Sequence, residues 1–270
     1  MYPMWMTAAI LLSVLLVALE IGYWLGRWWQ HRTSEKEIVS GDIALTAMYG
    51  LLGLVMAFTY SFTIGRADLR KHAVISEANA LGTAFLRTDL IAEPERTELR
   101  ILLRKYAETR LITAEEVSTL ERLRETIKNT LDAQSKLWPV VTRIANKGDG
   151  GPIEALMIQS INDVIDMHSL RIAVSFDRLP LAVFWLLLFI TGVALAVSGY
   201  NRGLAGDMNR MRMTALALVL TAVMTTITDF DRSLDGFVKI SLQPLVDVID
   251  DMDVNMDANK SVITHKEEGD

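Results

Sequence analysis

At 270 residues, 51% of them hydrophobic in type and with a formal net charge of −6, the chain is too apolar for an ordinary soluble domain. It is also too acidic for a nucleic-acid binder, which needs basic surface to displace phosphate counterions. The absence of cysteine excludes disulfides, zinc–thiolate sites and thiol nucleophiles. Apolar stretches that reach or approach the length needed to cross ~30 Å of hydrocarbon predict an integral membrane protein with four transmembrane helices.

The first predicted span covers about residues 5–26. Trp5 precedes most of it and Trp24, Trp28 and Trp29 follow, as expected of rings that prefer the membrane interface. No Lys or Arg precedes the span and no small-x-small cleavage site follows it cleanly, so it reads as a retained anchor. Gly22 and Gly26 form a GxxxG face suited to close helix packing. Glu20 is a candidate buried acid, because a carboxyl inside a span costs ~2.5–3.5 kcal/mol on insertion scales unless paired or neutral. It either snorkels toward Arg27 or pairs with a cation such as Arg202 or Arg212.

The second span, about residues 43–65, carries a small residue every fourth position: Gly53, Ala57, Ser61 and Gly65. Positions four apart share a helix face, so these make a smooth ridge, flanked by a polar line of Thr59, Thr63, Arg66 and Arg70. Gly53, Ala57, Thr59, Ser61, Thr63, Gly65 and Arg66 are therefore candidate pore-lining or helix-interface residues. No proline interrupts the pattern before Pro94, which predicts that the same helix continues out of the bilayer. On that extension Glu77 either bridges to Arg171 or Arg87 or, with Asn79, rings a vestibule in an oligomer.

Residues 67–178 read as a helical extramembrane domain. Glu93-Pro94-Glu95-Arg96 opens a helix carrying Leu99, Leu102, Leu103, Tyr106 and Leu111 at helical spacing, ending near Ile112. Thr113-Ala-Glu-Glu resembles a capping box for a helix that Pro139 kinks or ends. Lys147-Gly-Asp-Gly-Gly-Pro152 is a loop, and helical spacing resumes from Ile153 to Arg178. His168, near Asp163 and Asp166 at spacings that suit no metal, reads as a histidine bonded within the helix bundle.

The third span, about 179–200, carries Gly192 and Ala196 four apart, and a basic loop with Arg202, Arg210 and Arg212 follows. The fourth, about 211–228, is rich in threonine (Thr214, Thr221, Thr225, Thr228), whose hydroxyls can bond back to the carbonyl four residues earlier. Residues 229–270 form an acidic tail, amphipathic around Phe237–Val248 and disordered at its end. A calcium loop starting at Asp251 fails, since Met256 replaces the turn glycine and Val262 the bidentate glutamate.

The predicted fold is thus an all-α membrane protein: one hairpin over 1–66, another over 179–228, and the helical domain 67–178 inserted between spans 2 and 3. Basic residues in the short loops place those loops in the cytoplasm of a bacterial inner membrane and the helical domain on the periplasmic side. No nucleotide loop, nucleophile elbow, HExxH or catalytic carboxylate pair is present, so neither an enzyme nor a cofactor is expected. The expected partners are the lipid bilayer, further copies of the chain, and ions, with no nucleic acid.

The chain also resembles, over nearly its whole length, a mostly bacterial family of membrane proteins with a bestrophin-like domain. The resemblance is carried by GLLGLVMAF from Gly50 with Ser61 and Arg66, by EANALGTAFLRTDLI from Glu77, and by LRxLLRxY from Leu99. It continues in IDMHxxR at 165–171, GYxxGLxG from Gly199, TDFDRxxxG from Thr228 and ISxxPL from Ile240. True bestrophins are pentameric anion channels, and their aromatic pore-neck pattern is not seen here. The resemblance implies a homo-oligomeric ion channel with span 2 lining the pore. The alternative is a membrane-anchored sensory or scaffold protein whose helical domain binds a partner.

Overall fold

The computed structural model describes residues 3–32, 42–112, 119–147, 151–206, 209–232 and 240–267. Among these, all regular structure is helical: α1 (Met4–Gln30), α2 (Asp42–Arg87), α3 (Glu95–Glu108), α4 (Leu120–Ser135), α5 (Leu137–Lys147), α6 (Pro152–Phe176), α7 (Leu181–Ala205), α8 (Arg210–Asp231) and α9 (Gln243–Glu267). A single 3-10 turn, Thr88–Leu90, ends the long second helix. Four stretches are long and apolar enough to cross a membrane: Met4–Gln30, Ile43–Leu90, Pro152–Ala205, whose apolar part is α7, and Arg210–Asp231. The protein is therefore an integral membrane protein.

Local chemistry explains most of the boundaries. α2 runs unbroken because nothing between Asp42 and Arg87 removes a backbone donor. Pro152 opens α6, where its missing N–H costs nothing, and Gly206 closes α7 at φ 73°, a left-handed C-cap that glycine alone adopts freely. Thr119 caps α4 and Asn209 caps α8, each side chain accepting a backbone N–H three residues on.

Several expectations are corrected. α3 stops at Glu108 instead of near Ile112, because Thr109 and Arg110 turn the chain. Pro139 falls in the first turn of α5, so the break comes earlier, at Lys136. The fourth span is longer than expected, reaching Asp231. The acidic tail has no disordered end up to Glu267: it is helix α9, held by Leu245, Ile249 and Met252, all buried. The expected capping box at Thr113 and most of the loop 148–151 lie outside the described residues.

The chain divides into two compact units, Met1–Ala67 with Arg178–Val238, and Asp68–Asp177 with Lys239–Asp270. In the first, α1 lies along α7 at glycine-to-backbone distance and also meets α8. A Cβ on Gly22 would stand 1.9 Å from the Ala196 carbonyl oxygen, and one on Gly26 2.2 Å from that of Tyr200. The contact is reciprocal, since a Cβ on Gly199 would meet the Leu19 oxygen at 2.2 Å and one on Gly203 the Tyr23 oxygen at 2.4 Å. Such approach maximises dispersion where hydrocarbon offers no hydrophobic drive. The second unit surrounds Leu81, Phe85, Leu99, Leu103, Tyr106, Leu137, Ile161 and Leu245. Arg104 of α3 grips Asp253 of α9 through two hydrogen bonds, 2.6 and 2.7 Å, and this pairing depresses the Asp253 carboxyl below its ordinary pKa.

Candidate functional site

α2 separates the two features read from its sequence. The polar line turns inward: Thr59 and Thr63 are buried, with hydroxyls donating to the carbonyls of Val55 (2.8 Å) and Tyr60 (2.9 Å). Their hydroxyls are consumed by the helix itself. The ridge turns outward: Gly53, Ala57, Ser61 and Gly65 are all exposed, and a Cβ on Gly53 or Gly65 would meet nothing within 4 Å. Only 17% of the apolar window of this span is buried within the chain, against 22% for α1, so it is the least covered of the four. Arg66 stacks its guanidinium 4.4 Å from the Phe62 ring.

Glu20 is partly exposed on α1, and its charge partner is Arg210, at 3.6 Å. The sequence pointed to Arg202 or Arg212; α8 begins at Arg210, and it is this side chain, two residues before Arg212, that meets the carboxylate. Gly192 and Ala196 likewise do not act as a pair. Gly192 faces open space, and Gly199 and Gly203, one turn and two turns further on, complete the contact with α1.

In the second unit, α2, α3 and α6 bring a charged cluster together. Glu77, wholly buried, accepts from Arg110 Nε at 2.6 Å and from Arg171 Nη1 at 2.5 Å. Arg171 also donates to the Arg110 carbonyl at 3.2 Å, so one carboxylate holds two guanidiniums. Of the partners foreseen for Glu77, Arg171 is present, whereas Arg87 donates instead to Ser160 and the Leu156 carbonyl. Arg110 was missed, because it stands just past the end of α3 where helical spacing no longer predicts its direction. Asn79, two residues on from Glu77, is exposed.

His168 and Tyr106 pack beside this cluster edge to face, ring centroids 6.3 Å apart. Neither His168 nitrogen nor the Tyr106 hydroxyl has a partner among the described residues, so the expected hydrogen-bonded histidine is instead a packed, unbonded one. Burial, reinforced by the Arg110 charge, lowers the His168 pKa to about 4, and burial likewise pushes the Tyr106 phenol up. The imidazole is thus neutral at pH 7. The unfolded chain takes up the proton near 6.5 and the folded unit only near 4, so this group withdraws stability as pH falls through that window. Thermal scans should show a smaller acid-induced loss between those pH values in His168→Phe than in the parent chain. Equal losses would remove His168 from the acid response.

The family model of the bestrophin-like domain matches residues 11–245. The fold is similar to the crystal structure of a bacterial bestrophin homolog from Klebsiella pneumoniae carrying a tryptophan-to-alanine mutation. That superposition has a TM-score of 0.61 at 12% identity, covering 91% of this chain and 97% of the other, a likeness of fold. No curated protein matches. The family match runs from within α1 to the first turn of α9 and so takes in α2, α7, α8 and the Glu77 cluster, and the chain belongs to the bestrophin-like family.

Proposed function

We propose that this protein is a homo-oligomeric ion channel of bestrophin-like type, with the Gly53–Ala57–Ser61–Gly65 face of α2 lining the pore. The observation that carries this reading is that face itself: small, outward, uncovered by the rest of its own chain, and on the least buried span. Small side chains leave room for an axial path where several copies of one helix converge, and the Ser61 hydroxyl and helix backbone give it polarity. Arg66, on the polar line beside the end of this face and stacked on Phe62, contributes positive potential that concentrates anions at the entrance.

Purified protein in planar bilayers should pass discrete currents. The native chain lacks cysteine, so Ser61→Cys is a clean probe, and a thiol reagent should block the currents of this variant alone. Ala57→Leu should narrow the path and lower unitary conductance several-fold. Well-folded oligomers that stay electrically silent would overturn the channel reading, and currents indifferent to Ser61→Cys labelling would remove α2 from the pore.

In the same reading, α1 with α2 and α7 with α8 form two hairpins, and the helical unit between them lies on the periplasmic side. The support is charge: Arg32 lies in the first short connection, and Arg27, Arg202, Arg210 and Arg212 stand in the helix turns that border the two short connections. An impermeant maleimide applied to intact cells should label Glu108→Cys and spare Arg32→Cys. The reverse pattern would invert the topology.

A further inference from the structure

α8 treats its threonines in two ways. Thr226 and Thr228 donate to the carbonyls of Ala222 and Met224 at 2.9 and 2.8 Å, the usual way for a hydroxyl inside a membrane helix to satisfy itself. Thr191 of α7 does the same with Leu187 at 2.7 Å. Thr221 and Thr225 do not. Their hydroxyl oxygens are enclosed, and neither has a partner among the described residues. Thr221 is 95% buried, so water does not reach it by exposure. A hydroxyl enclosed without a partner is costly, and a helix that could remove the cost by a side-chain rotation has not done so at these two positions.

Both threonines line one groove between α1 and α8. Its volume is about 560 Å³, and its other walls include Ala8, Leu12, Leu218 and Phe230, with the Asp229 carboxylate near the end of α8. Thr221, Thr225 and Asp229 are spaced by four, so they stand in line on one face of the helix, about 6 Å apart along its axis. A bare cation would touch two of these groups at most and leave the rest of the volume empty. A hydrocarbon chain fills an apolar groove of this size, and the acceptor that accompanies such a chain in a bilayer is the acyl ester.

We propose that the α1–α8 groove is a binding site for a zwitterionic glycerolipid whose ester carbonyls accept hydrogen bonds from Thr221 and Thr225 once a side-chain rotation turns the two enclosed hydroxyls into the groove. The acyl chain lies on Ala8, Leu12 and Leu218. The headgroup lies toward Asp229, whose negative charge favours an amine-bearing headgroup over an anionic one. Asp229 keeps the contacts it already makes within the protein. This site is independent of the pore reading: it needs neither conduction nor a particular number of copies.

The test uses the full chain, purified and exchanged into equal mixtures of diacyl phosphatidylethanolamine and its dialkyl ether counterpart, which lacks ester carbonyls. Native mass spectrometry of the retained lipid is the readout. The parent chain should prefer the ester lipid by about fivefold for each hydroxyl engaged. The isosteric double variant Thr221→Val/Thr225→Val should lose that preference, and Thr228→Val, whose hydroxyl is already bonded to the helix and which is not among the groove's walls, should keep it. Equal retention of ester and ether lipid by the parent chain overturns the proposal, and this arm needs no variant to fold. Retention of the preference by the double valine variant also overturns it. So does a double variant that changes oligomer size with lipid retention unaltered, since a second copy of the chain would then be the occupant.

Discussion

Gly22→Leu is expected to abolish folded protein, and Gly199→Leu to do the same from the other side of the contact. Each Cβ would sit 1.9–2.2 Å from a backbone oxygen, of Ala196 or Leu19 respectively, and backbone cannot rotate out of the way as a side chain can. Overpacking an ordinary core costs about 1–3 kcal/mol after repacking. Here the remedy is to separate α1 from α7 along the whole contact, so the loss should exceed that range and approach the ~5–15 kcal/mol that holds a typical protein together. Gly192→Ala is the control. Nothing lies within 4 Å of its Cβ position, and alanine is the better helix former by about 1 kcal/mol. Detergent-solubilised yield and thermal midpoint check both. If Gly22→Leu accumulates and melts like the parent chain, α1 and α7 do not meet at these glycines.

The second large effect is expected at Glu77. Glu77→Ala strands two guanidiniums, of Arg110 and Arg171, in a site where the parent carboxylate is wholly enclosed. Breaking a buried pair from one side costs about 3–5 kcal/mol, because the remaining charge is left uncompensated. Glu77→Gln should recover little, since an amide keeps the shape without the charge. Removing all the charges together is different: Glu77→Leu/Arg110→Met/Arg171→Met should regain most of the loss, as apolar replacements of buried ion pairs often do. Thermal midpoints and far-UV circular dichroism read the series. A Glu77→Ala protein as stable as the parent would mean that water reaches the cluster and screens the arginines.

The membrane helices were legible because length and apolarity are one-dimensional properties, and the same holds for the unbroken course of α2. The small-residue spacing in α1 pointed to a close contact and named Gly22 and Gly26 correctly. Its counterpart in α7 was not named: of the two small residues noted there, Ala196 meets Gly22 through its backbone and Gly192 faces open space, while Gly199 and Gly203 complete the contact, because spacing alone does not say which face meets which helix. The same ambiguity split the polar line of α2 from its ridge. Glu77 with Arg171 could be foreseen as a buried acid seeking a cation on a neighbouring helix. Arg110 and Arg210 could not, since each stands at a helix end where one residue of boundary error redirects the side chain. α9 was missed for a compositional reason. Its aspartates dominate the reading, yet Leu245, Ile249, Met252 and Met256 recur at helical spacing, and three of the four are buried.

The pairing of α1 with α7 bears on how the protein is made. Synthesis proceeds at ~5–20 residues per second, so Gly199 emerges roughly 10–35 s after Gly22. Throughout that interval α1 is already a finished helix in the bilayer, with its glycine groove open to any small-residue face that diffuses past. The first such face to be completed on the same polypeptide is the ridge of α2, which the finished protein keeps outward. Biogenesis therefore includes a partner exchange or a wait, and an insertion chaperone that shields α1 until α7 arrives would raise the yield. Circularly permuted chains that begin at α7 would bring α7 out ahead of α1 and shorten the interval to roughly half, which should lessen the dependence on such a chaperone.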